Sequence, residues 1–463
     1  MRKLFLVFLF FLVLFLGGFI VSFFFPRTIV IEHSQNFPID NSNSTFENNP
    51  ENHKKELFYL KVISDIRDDF ILERKSFLEV DLSKMKVKLY QDGKPIKEVQ
   101  ILTKGNSQEW GGSAIGVYKI LSGNKLSYSI ISKVYMPYAL HYYGKYWLHG
   151  EPYYPGGKKL LSSVSGGCIR LRDKDAKDIY ELSELGMPVL VINKEKDYYQ
   201  FANKNLSEFP EVSAKSYLVA DLNSGFAFAK KNSQEKLPIA SLTKLMTAIV
   251  VAENVDLRKS ILVKPEMLEA YGSTKGLEAG KSFRVVELFY PLLTNSSNDA
   301  AEVLSGFLGK TKTIKMMNEK AKAILMKNTE FTDPHGLDPK NVSTAQDLFQ
   351  LARYITEVRP LFWEITKGKE VQSFGKVHFD IKELWNKNVF INDPNFVGGK
   401  TGYTLPAKNT ALFIFKFLTN DKKARDIAII LLRSKNNKTD TQKIYKWLQE
   451  NYSLSPVAPV VKG

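Results

Sequence analysis

Two groups of residues that can carry nucleophilic chemistry lie in separate stretches of this chain, and their pairing constrains the fold more than any other feature. The first group is centred on Cys168, the only cysteine, with His149 upstream. The second combines Ser241-Leu242-Thr243-Lys244 with Ser296-Ser297-Asn298 and Lys400-Thr401-Gly402. A thiol site and a serine–lysine site are both suited to acyl transfer. With 463 residues the chain is long enough for two or three domains, so we predict a multidomain protein.

The N-terminus carries an uncharged apolar run from Leu4 to Phe25, directly after Arg2 and Lys3. As a helix this run is about 33 Å long, enough to cross the hydrocarbon core of a bilayer. We expect residues 1–30 to form an uncleaved transmembrane helix, and the two basic residues favour a cytoplasmic N-terminus. A cleaved signal peptide is the alternative, but its apolar core is shorter and ends in small residues rather than in phenylalanines.

Two segments are predicted to connect the folded parts. Residues 31–75 are assigned to a stalk or linker, because positions 33–55 are rich in Asn, Ser, Glu and Pro and poor in apolar residues. Positions 56–75 mix charged with apolar residues and could pack on the domain that follows. Residues 194–212 are polar and charged and are assigned to a linker. The catalytic domains then span residues 76–193 and 213–455.

Strand patterns dominate the first domain. From Phe77 onward apolar residues alternate with polar ones, and Asp92-Gly93 offers a hairpin turn before a second strand that runs to Ile101. Short strands and glycine turns continue to about residue 192, with one helix expected near Ala176–Leu185. We therefore predict a mostly-β domain.

The second domain begins with a strand pattern at Tyr217–Ala220 and ends with strand patterns at Ala411–Phe417 and Ile427–Leu432 and a helix near Thr439–Asn451. Helical patterns fill the middle. Directly after Ser241, apolar residues recur at the spacing of one buried helix face. Strands at both ends with helices between them predict an α+β domain whose sheet is built from the two chain ends.

The cysteine group has the residue types that thiol catalysis needs. The thiolate is the form that attacks carbonyl carbon, so His149 could take the thiol proton and Arg170 adds positive charge that favours the thiolate. Gly166 and Gly167 leave the backbone unobstructed before Cys168, so N–H groups there could stabilise a developing oxyanion. A small buried cysteine without a catalytic role is the alternative.

Residues 77–192 resemble the L,D-transpeptidase catalytic domain of the YkuD type. The resemblance rests on Gly116-Val117-Tyr118, Met136-Pro137-Tyr138, His149-Gly150, Ser165 with Gly167-Cys168-Ile169-Arg170-Leu171, and Gly186-Met187-Pro188-Val189. It implies a β-sandwich-like fold, with Cys168 as the acyl-enzyme nucleophile and His149 as its base. Substrate contacts are assigned to Gly167 and Arg170. The sequence departs from the family pattern at Gly166, where a histidine is often found, and at Ala114, where a proline is often found.

In the serine group, Ser-x-x-Lys alone is a weak signal, because it recurs at Ser83, Ser122 and Ser233. Only Ser241 opens a strongly patterned helix, where positions i and i+3 share a face and Lys244 can reach the hydroxyl. Burial and positive neighbours would keep that amine neutral, as a base requires. The ordered set of three motifs is typical of the serine–lysine pattern of penicillin-binding proteins and β-lactamases.

Residues 213–452 resemble a D-alanyl-D-alanine carboxypeptidase of the low-molecular-mass penicillin-binding type. Further matches are Pro238-Ile239-Ala240, Asn298-Asp299-Ala300-Ala301, Pro334-His335-Gly336-Leu337 and Gly399-Lys400-Thr401-Gly402-Tyr403-Thr404. The resemblance implies Ser241 as nucleophile, Lys244 as its base and Ser296 as a proton relay. Substrate contacts are assigned to Asn298, Lys400, Thr401 and Gly402, with Lys400 on the terminal carboxylate. His335 is interpreted as a loop-packing residue.

Together the two resemblances imply a bifunctional peptidoglycan enzyme. A D,D-carboxypeptidase turns a pentapeptide stem into a tetrapeptide, and that tetrapeptide is the donor that an L,D-transpeptidase cross-links. The expected partners are peptidoglycan stem peptides, the membrane, and β-lactams as covalent inhibitors, and neither resemblance implies a metal or another cofactor. A serine β-lactamase-like hydrolase and a wall-binding scaffold with inactive sites are the alternatives.

The net charge of +16 suits an anionic partner such as lipid headgroups, a cell-wall polymer or nucleic acid. The sequence has no zinc-finger spacing, no RNP-like aromatic motif and no Arg-rich helix, so no nucleic-acid partner is expected. A solvated lysine-rich surface is the alternative. We expect a single-pass protein of the bacterial cell membrane with both catalytic domains on the extracytoplasmic side.

Overall fold

The computed structural model describes residues 59–456, apart from 110, 196, 198, 200, 204–206, 273 and 419–423. The predicted transmembrane helix and most of the predicted stalk lie outside the described residues. Within the described part of the chain, no helix is both long enough and apolar enough to span a bilayer.

Two sheets build the first catalytic domain, as the alternating sequence predicts. Helix α1 (Ile66–Leu72) precedes the strands and helix α2 (Asp173–Glu181) lies between the last two of them. The strands are β1 (Phe77–Asp81), β2 (Lys86–Gln91), β3 (Lys94–Gln100), β4 (Gly116–Lys119), β5 (Ser122–Ser129), β6 (Val134–Tyr143), β7 (Tyr146–His149), β8 (Ile169–Arg170) and β9 (Pro188–Ile192). One sheet has the order β3-β2-β1-β9-β4 and the other the order β5-β6-β7-β8.

The predicted hairpin is confirmed, because β2 and β3 pair antiparallel around Asp92 and Gly93. Both turn residues have positive φ, 49° and 77°, as a tight hairpin turn with the twist of the strands requires. The helix expected near Ala176–Leu185 starts earlier and ends at Glu181. Leu182 and Leu185, the apolar residues that would have prolonged it, are exposed and supply no core-facing stripe.

A five-stranded antiparallel sheet forms the base of the second domain. The strands that follow the first domain are β10 (Phe201–Asn203), β11 (Ser216–Asp221), β12 (Ala227–Lys231), β13 (Leu237–Pro238), β14 (Ser260–Leu262), β15 (Ser282–Arg284), β16 (Val342–Ser343), β17 (Phe396–Thr404), β18 (Lys408–Leu418), β19 (Ala424–Ser434) and β20 (Tyr452–Pro456). The main sheet has the order β12-β11-β19-β18-β17, so the two ends of the domain do meet in one sheet.

Helices fill the middle of this domain and pack on that sheet. They are α3 (Thr243–Asn254), α4 (Phe289–Leu293), α5 (Asn298–Leu308), α6 (Lys310–Ala323), α7 (Ala345–Val358), α8 (Leu361–Thr366) and α9 (Asn437–Asn451). The prediction of a single buried face on α3 is wrong, since every residue from Thr243 to Glu253 is buried. Helix α3 is therefore the central helix of the domain, surrounded by other elements.

Two segments assigned to connectors are part of the fold. Strand β10 lies inside the predicted linker 194–212 and pairs with β20, because Phe201 is buried against other aromatic rings. The end of the predicted stalk, residues 59–75, is also folded, and Leu60 and Val62 in it are buried. Ordering these residues costs conformational entropy that a flexible connector would retain. The removal of their apolar surface from water offsets that cost.

The two catalytic domains share one interior. The described residues form a single compact unit, and one buried apolar cluster runs through both domains. A buried polar group lies at their contact, where Glu253 pairs with Lys320 at 2.9 Å and with Arg359 at 3.2 Å. Lys320 also donates to the hydroxyl of Tyr118 on β4 at 2.7 Å. The domains are therefore joined by specific contacts as well as by the chain.

Candidate active sites

The serine group meets at the start of α3. A short 3-10 helix, Ala240–Leu242, presents Ser241 directly before α3 begins, and Ala240 has a positive φ of 48°. Lys244, one turn later, places its Nζ 2.9 Å from the Ser241 Oγ. The same Nζ donates to the backbone carbonyl of His335 at 2.7 Å. The predicted i, i+3 contact between nucleophile and base is present.

Burial sets the protonation state of the serine-site base. Lys244 is fully buried, which lowers the pKa of its ammonium group to about 7, and the carboxylate of Asp333 only partly opposes this shift. A neutral amine is the form that can accept a proton from a hydroxyl. Near neutral pH a large fraction of Lys244 is therefore ready to act as a general base.

A second buried lysine sits on the other side of this site. Lys400 on β17 donates to the Oγ of Ser296 at 2.8 Å and to the carbonyl of Thr401 at 2.8 Å. Burial, together with the nearby charges of Lys244 and Lys387, holds the pKa of Lys400 well below its usual range. A carboxylate bound in this site would favour the charged form of Lys400 and offset the effect of its burial.

Close backbone contacts hold the serine loop in place. A Cβ on Gly402 would lie 2.8 Å from the backbone nitrogen of Ser241, so strand β17 can approach the nucleophile only with glycine there. Gly336 is equally constrained, because a Cβ there would lie 1.9 Å from the carbonyl oxygen of Ala240. The Pro-His-Gly-Leu loop is therefore packed directly beneath Ser241.

The serine site opens into a cavity of about 700 Å³. Among its lining residues are the predicted site residues Ser241, Ser296, Asn298, Thr401 and Gly402. The side chain of Asn298 donates to the carbonyl of Tyr271, while Ser297 caps α5 by accepting from the backbone of Ala300. The structure therefore brings the predicted serine-site residues together around one cavity and the lysines at its edge.

Some contacts at the serine site could not be predicted from the sequence. The sequence predicts a packing role for His335, and its ring does lie 2.9 Å from Glu302, but its backbone carbonyl also accepts from the amine of Lys244. Asp333 organises the same loop by accepting from the backbone N–H groups of His335 and Gly336. A backbone carbonyl leaves no mark on residue type, so no sequence signal could have identified it.

The cysteine group is assembled by two parallel strands. Strands β7 and β8 pair with His149 opposite Arg170. Because alternate residues of a strand share a face, Cys168 lies on the same face as Arg170, two positions on, and that face also carries His149. The pairing of β7 with β8 thus brings together His149 and Cys168, which are nineteen residues apart in the sequence.

His149 is held as a neutral imidazole. Its Nδ1 lies 2.6 Å from the carbonyl oxygen of Gly150 and must donate to it, which leaves Nε2 as the proton acceptor. Burial lowers the pKa of His149 to about 4, with the hydrogen bond to Gly150 opposing the shift and the charge of Arg170 adding to it. Within the described residues no hydrogen bond joins His149 to Cys168, although both side chains line one cavity.

The thiol of Cys168 rests as a neutral group. Its Sγ lies 3.7 Å from the carbonyl oxygen of Lys145, towards which the S–H donates. Burial raises the pKa of the Cys168 thiol, more than contact with the backbone of Trp147 and the charges of Arg170 and Lys145 lower it. The resting site therefore holds a thiol beside a neutral imidazole, and proton transfer must accompany attack.

The predicted oxyanion role of the backbone before Cys168 needs a correction at Gly167. Its N–H donates to the Oγ of Ser165 at 3.1 Å, so it is already engaged. Gly167 is instead required for packing, because its φ is +121° and a Cβ would lie 1.9 Å from the ring of Tyr146. Its role in the structure is to let the nucleophile loop pass over an aromatic ring.

Arg170 is a buried cation beside the thiol. Its Nη1 donates to the carbonyl of Ser162 at 2.9 Å, and its Nε has no hydrogen-bond partner. No carboxylate among the described residues pairs with it. Because an unpaired buried guanidinium is unfavourable, the position suits an anionic group of a substrate.

The cysteine cavity, of about 240 Å³, is lined by both domains. Lys145, His149, Cys168 and Arg170 come from the first domain, and Asp256, Leu257 and Arg258 come from the segment after α3 in the second. Lys145 and the second-domain residues carry no signal in the sequence, because they reach this cavity only through the packing of the two domains. In the described part of the chain, no cluster of three or more His, Cys, Asp or Glu side chains is placed to hold a metal ion.

Comparison with protein families gives a match for each catalytic domain. Residues 203–434, about half of the chain, match the D-alanyl-D-alanine carboxypeptidase family, and residues 75–191 match the L,D-transpeptidase catalytic domain. The chain belongs to the D-alanyl-D-alanine carboxypeptidase family, and it carries an L,D-transpeptidase catalytic domain on its N-terminal side. Both resemblances inferred from sequence motifs are confirmed.

Three proteins are similar to this chain over about half of its length. D-alanyl-D-alanine carboxypeptidase DacB2 of Mycobacterium tuberculosis is 31% identical over 43% of this chain and 70% of its own length. DacC of Escherichia coli is 32% identical over 45% of this chain, which spans only about half, 54%, of that relative. Penicillin-binding protein D2 of Listeria monocytogenes, solved in its cefotaxime-bound form, is 28% identical with a TM-score of 0.45, over 52% of this chain and 99% of its own.

Proposed function

We propose that the chain is a membrane-anchored, bifunctional peptidoglycan enzyme. Its serine site trims the terminal D-Ala from pentapeptide stems, and its cysteine site cross-links the resulting tetrapeptides. The observation that carries this proposal is that Ser241 and Cys168 open onto two different cavities, each lined or flanked by its own base. A chain with one working site and one relic would not need to keep both arrangements.

The serine half follows from the contact between Lys244 and Ser241. The neutral amine takes the hydroxyl proton while Oγ attacks the carbonyl carbon between the last two residues of the stem. The peptide bond breaks, free D-Ala leaves with a proton on its nitrogen, and the stem stays as an ester on Ser241. Water, deprotonated by the same amine, then attacks the ester and restores the hydroxyl.

The cysteine half uses the same logic with a thiol. Nε2 of His149 takes the proton as Sγ attacks the carbonyl carbon before the terminal D-Ala of a tetrapeptide. D-Ala leaves with that proton and the stem becomes a thioester on Cys168. The amine of a second stem attacks the thioester, its surplus proton passes to His149 and then to the departing thiolate, and a new amide joins the two stems.

Each cavity offers a buried basic side chain to an anionic stem. Lys400 and Arg170 are both buried, and neither forms an ion pair with any of the described residues. Binding the carboxylate of a stem peptide would compensate for the burial of each charge. This arrangement supports Lys400 as the contact for the terminal carboxylate at the serine site, and Arg170 as an anion contact at the cysteine site.

The two reactions would follow each other on one polymer. The tetrapeptide released by the serine site is the donor for the cysteine site. The sites lie at opposite ends of α3, about 20 Å apart at 1.5 Å per residue. Joining them in one unit keeps trimmed stems at a high local concentration near Cys168.

Two point variants assayed on purified muropeptides test this assignment. Ser241→Ala should abolish D-Ala release from pentapeptide and leave cross-linking of supplied tetrapeptide intact, and Cys168→Ala should do the reverse. Ser122→Ala is the matched control, because Ser122 belongs to another Ser-x-x-Lys sequence on β5, outside both cavities. If the two variants have equal activity in both assays, the assignment is wrong.

The same variants separate the alternatives. A β-lactamase-like hydrolase would turn over nitrocefin rapidly, whereas the proposed carboxypeptidase should form a long-lived adduct. A scaffold with inactive sites would not react with a fluorescent penicillin. We propose that β-lactams acylate Ser241 because its amine partner is in place, and labelling should disappear in Ser241→Ala but persist in Cys168→Ala.

Membrane anchoring is the part of the proposal that rests on sequence alone. The uncharged run from Leu4 to Phe25 supports a single-pass helix with both catalytic domains outside the cytoplasm. Full-length protein should stay in the membrane pellet after alkaline carbonate extraction, and deletion of residues 2–27 should release it. If the full-length gene instead yields soluble protein whose mass is lower by the N-terminal segment, the segment is a cleaved signal peptide.

A further inference from the structure

One helix touches both active sites. Ser241 lies directly before the amino end of α3, and the carboxyl end of α3 lies against the turn between β6 and β7 of the cysteine domain. Gly144 in this turn has a φ of +50°, and a Cβ there would lie 2.5 Å from the carbonyl oxygen of Glu253. The turn that precedes the cysteine-site strand therefore fits closely against the serine-domain helix.

Lys145, the next residue, is held by the end of that helix. Its Nζ donates to the carbonyls of Ala252 at 2.8 Å and Val255 at 3.2 Å, and its backbone N–H donates to the carbonyl of Glu253 at 3.1 Å. A helix leaves its last carbonyls without intrahelical partners, and its carboxyl end favours positive charge. Lys145 supplies both the missing donors and the charge.

The same residue contacts the nucleophile. The carbonyl oxygen of Lys145 accepts from the thiol of Cys168, and the positive charge of Lys145 favours the thiolate. Tyr146, which follows, lies under Gly167, and its hydroxyl accepts from Arg359 of the serine domain. Lys145, which accepts from the thiol, and Tyr146, which packs against Gly167, are therefore both held by groups of the serine domain.

We propose that Lys145 is a positioning residue for Cys168, and that the carboxyl end of α3 completes the cysteine site through it. The ammonium group clamps the β6–β7 turn to the helix, so the carbonyl that accepts from the thiol keeps its position in the cavity that His149 also lines. It also places a positive charge near the sulfur as negative charge develops there. The inference rests on the proposed function of the cysteine site.

The test uses the full-length chain with Lys145→Met, which keeps the backbone carbonyl and the length of the side chain but removes the charge and the donors. The kcat for cross-linking of tetrapeptide should fall about tenfold with KM unchanged, and the serine-site release of D-Ala should stay within about twofold of wild type. Lys125→Met, an exposed lysine on β5, is the matched control and should change neither rate.

A second readout is the rate at which iodoacetamide alkylates Cys168 as a function of pH. Because this is the only cysteine, the label reports one site. The charged or titratable groups that line its cavity are Lys145, His149, Arg170, Asp256 and Arg258. Lys145→Met should shift the alkylation profile to higher pH, and Lys145→Arg, which keeps charge and donors, should restore the wild-type profile.

The outcomes distinguish this inference from the proposed function. A wild-type kcat and an unshifted alkylation profile in Lys145→Met would overturn it, as would a fall of both activities together with the melting temperature, which indicates a purely structural role. If the wild-type chain does not cross-link at all, the proposed function fails, and the alkylation profile still decides whether Lys145 controls the thiol.

Discussion

The serine and cysteine sites differ in how their nucleophile and base are brought together. At the serine site both residues lie within one helical turn, and Nζ of Lys244 is already 2.9 Å from Oγ of Ser241. At the cysteine site they lie on two paired strands, they share a cavity, and the thiol donates to Lys145 instead of to His149. The serine pair is fixed by local helix geometry, whereas the cysteine pair depends on sheet register and on packing against the other domain.

Burial also lowers the pKa values of the two bases to different levels. Burial lowers the pKa of Lys244 to about 7, which makes a normally protonated amine available near neutral pH. It lowers the pKa of His149 to about 4, which keeps the imidazole neutral over the whole neutral range. Neither site therefore rests as an ion pair, but only the serine site has a base that titrates close to pH 7.

The largest expected effect comes from removing the serine-site base. Lys244→Met should lower kcat/KM for D-Ala release by about three orders of magnitude, since general-base catalysis contributes about 10²–10⁴-fold. Cross-linking of supplied tetrapeptide should change little. The control is Lys236→Met, which removes the lysine of another Ser-x-x-Lys sequence. Comparable loss in the control would mean that the helical contact is not what activates Ser241.

Removing the cysteine-site base should have a smaller effect. His149→Gln should lower the cross-linking rate by about 10²-fold, because a thiol reaches its reactive form in solution more readily than a hydroxyl does. D-Ala release from pentapeptide, followed by chromatography of the products, should be unaffected. A variant that cross-links at the wild-type rate would show that another group takes the proton of Cys168.

Two neighbouring glycines test the close packing at the cysteine loop. Gly167→Ala places a Cβ 1.9 Å from the Tyr146 ring at a φ of +121°, whereas Gly166→Ala meets no atom within 4 Å. The first should lower the free energy of unfolding by about 1–3 kcal/mol and the second by less than about 0.5 kcal/mol. Chemical denaturation measures both, and equal losses would contradict the contact between the loop and the ring.

The dependence of the two rates on pH should also differ between the sites, without any change of residue. Lys244 must be neutral to act, so kcat/KM for D-Ala release should rise about tenfold per unit as pH increases towards 7 and then level off. His149 is neutral above about pH 4, so cross-linking should not lose its base between pH 5 and 7. A flat profile for D-Ala release over that range would contradict the assignment of Lys244 as the base.

Sequence patterns predict the structure correctly where the contacts are local. The Ser241–Lys244 contact, the turn at Asp92-Gly93 and the strands at both ends of the second domain follow from spacing along the chain. The linker assignment was wrong at Phe201, which packs against aromatic rings of distant elements, whereas Leu60 lies in the part of the assigned stalk that could pack on the following domain and does so.

The site features that depend on contacts between distant parts of the chain could not be predicted from such patterns. Lys145 and Asp256 reach the cysteine cavity only because the two domains pack together, and the carbonyl of His335 contributes through its backbone. The complete burial of α3 was missed for the same reason, since its polar positions are covered by tertiary contacts. Long-range packing, which residue spacing does not encode, determines all of these.

The central claim is that one chain holds two independent acyl-transfer centres, and intact-protein mass spectrometry after acid quenching tests it most directly. Incubation with stem tetrapeptide should give a thioester adduct. It should raise the mass of the protein by the mass of the tetrapeptide minus one D-Ala. This adduct should be absent in Cys168→Ala and present in Ser241→Ala. Incubation with pentapeptide should give an ester adduct with the opposite dependence. Failure to form either adduct, or mapping of both adducts to a single residue, would contradict the account.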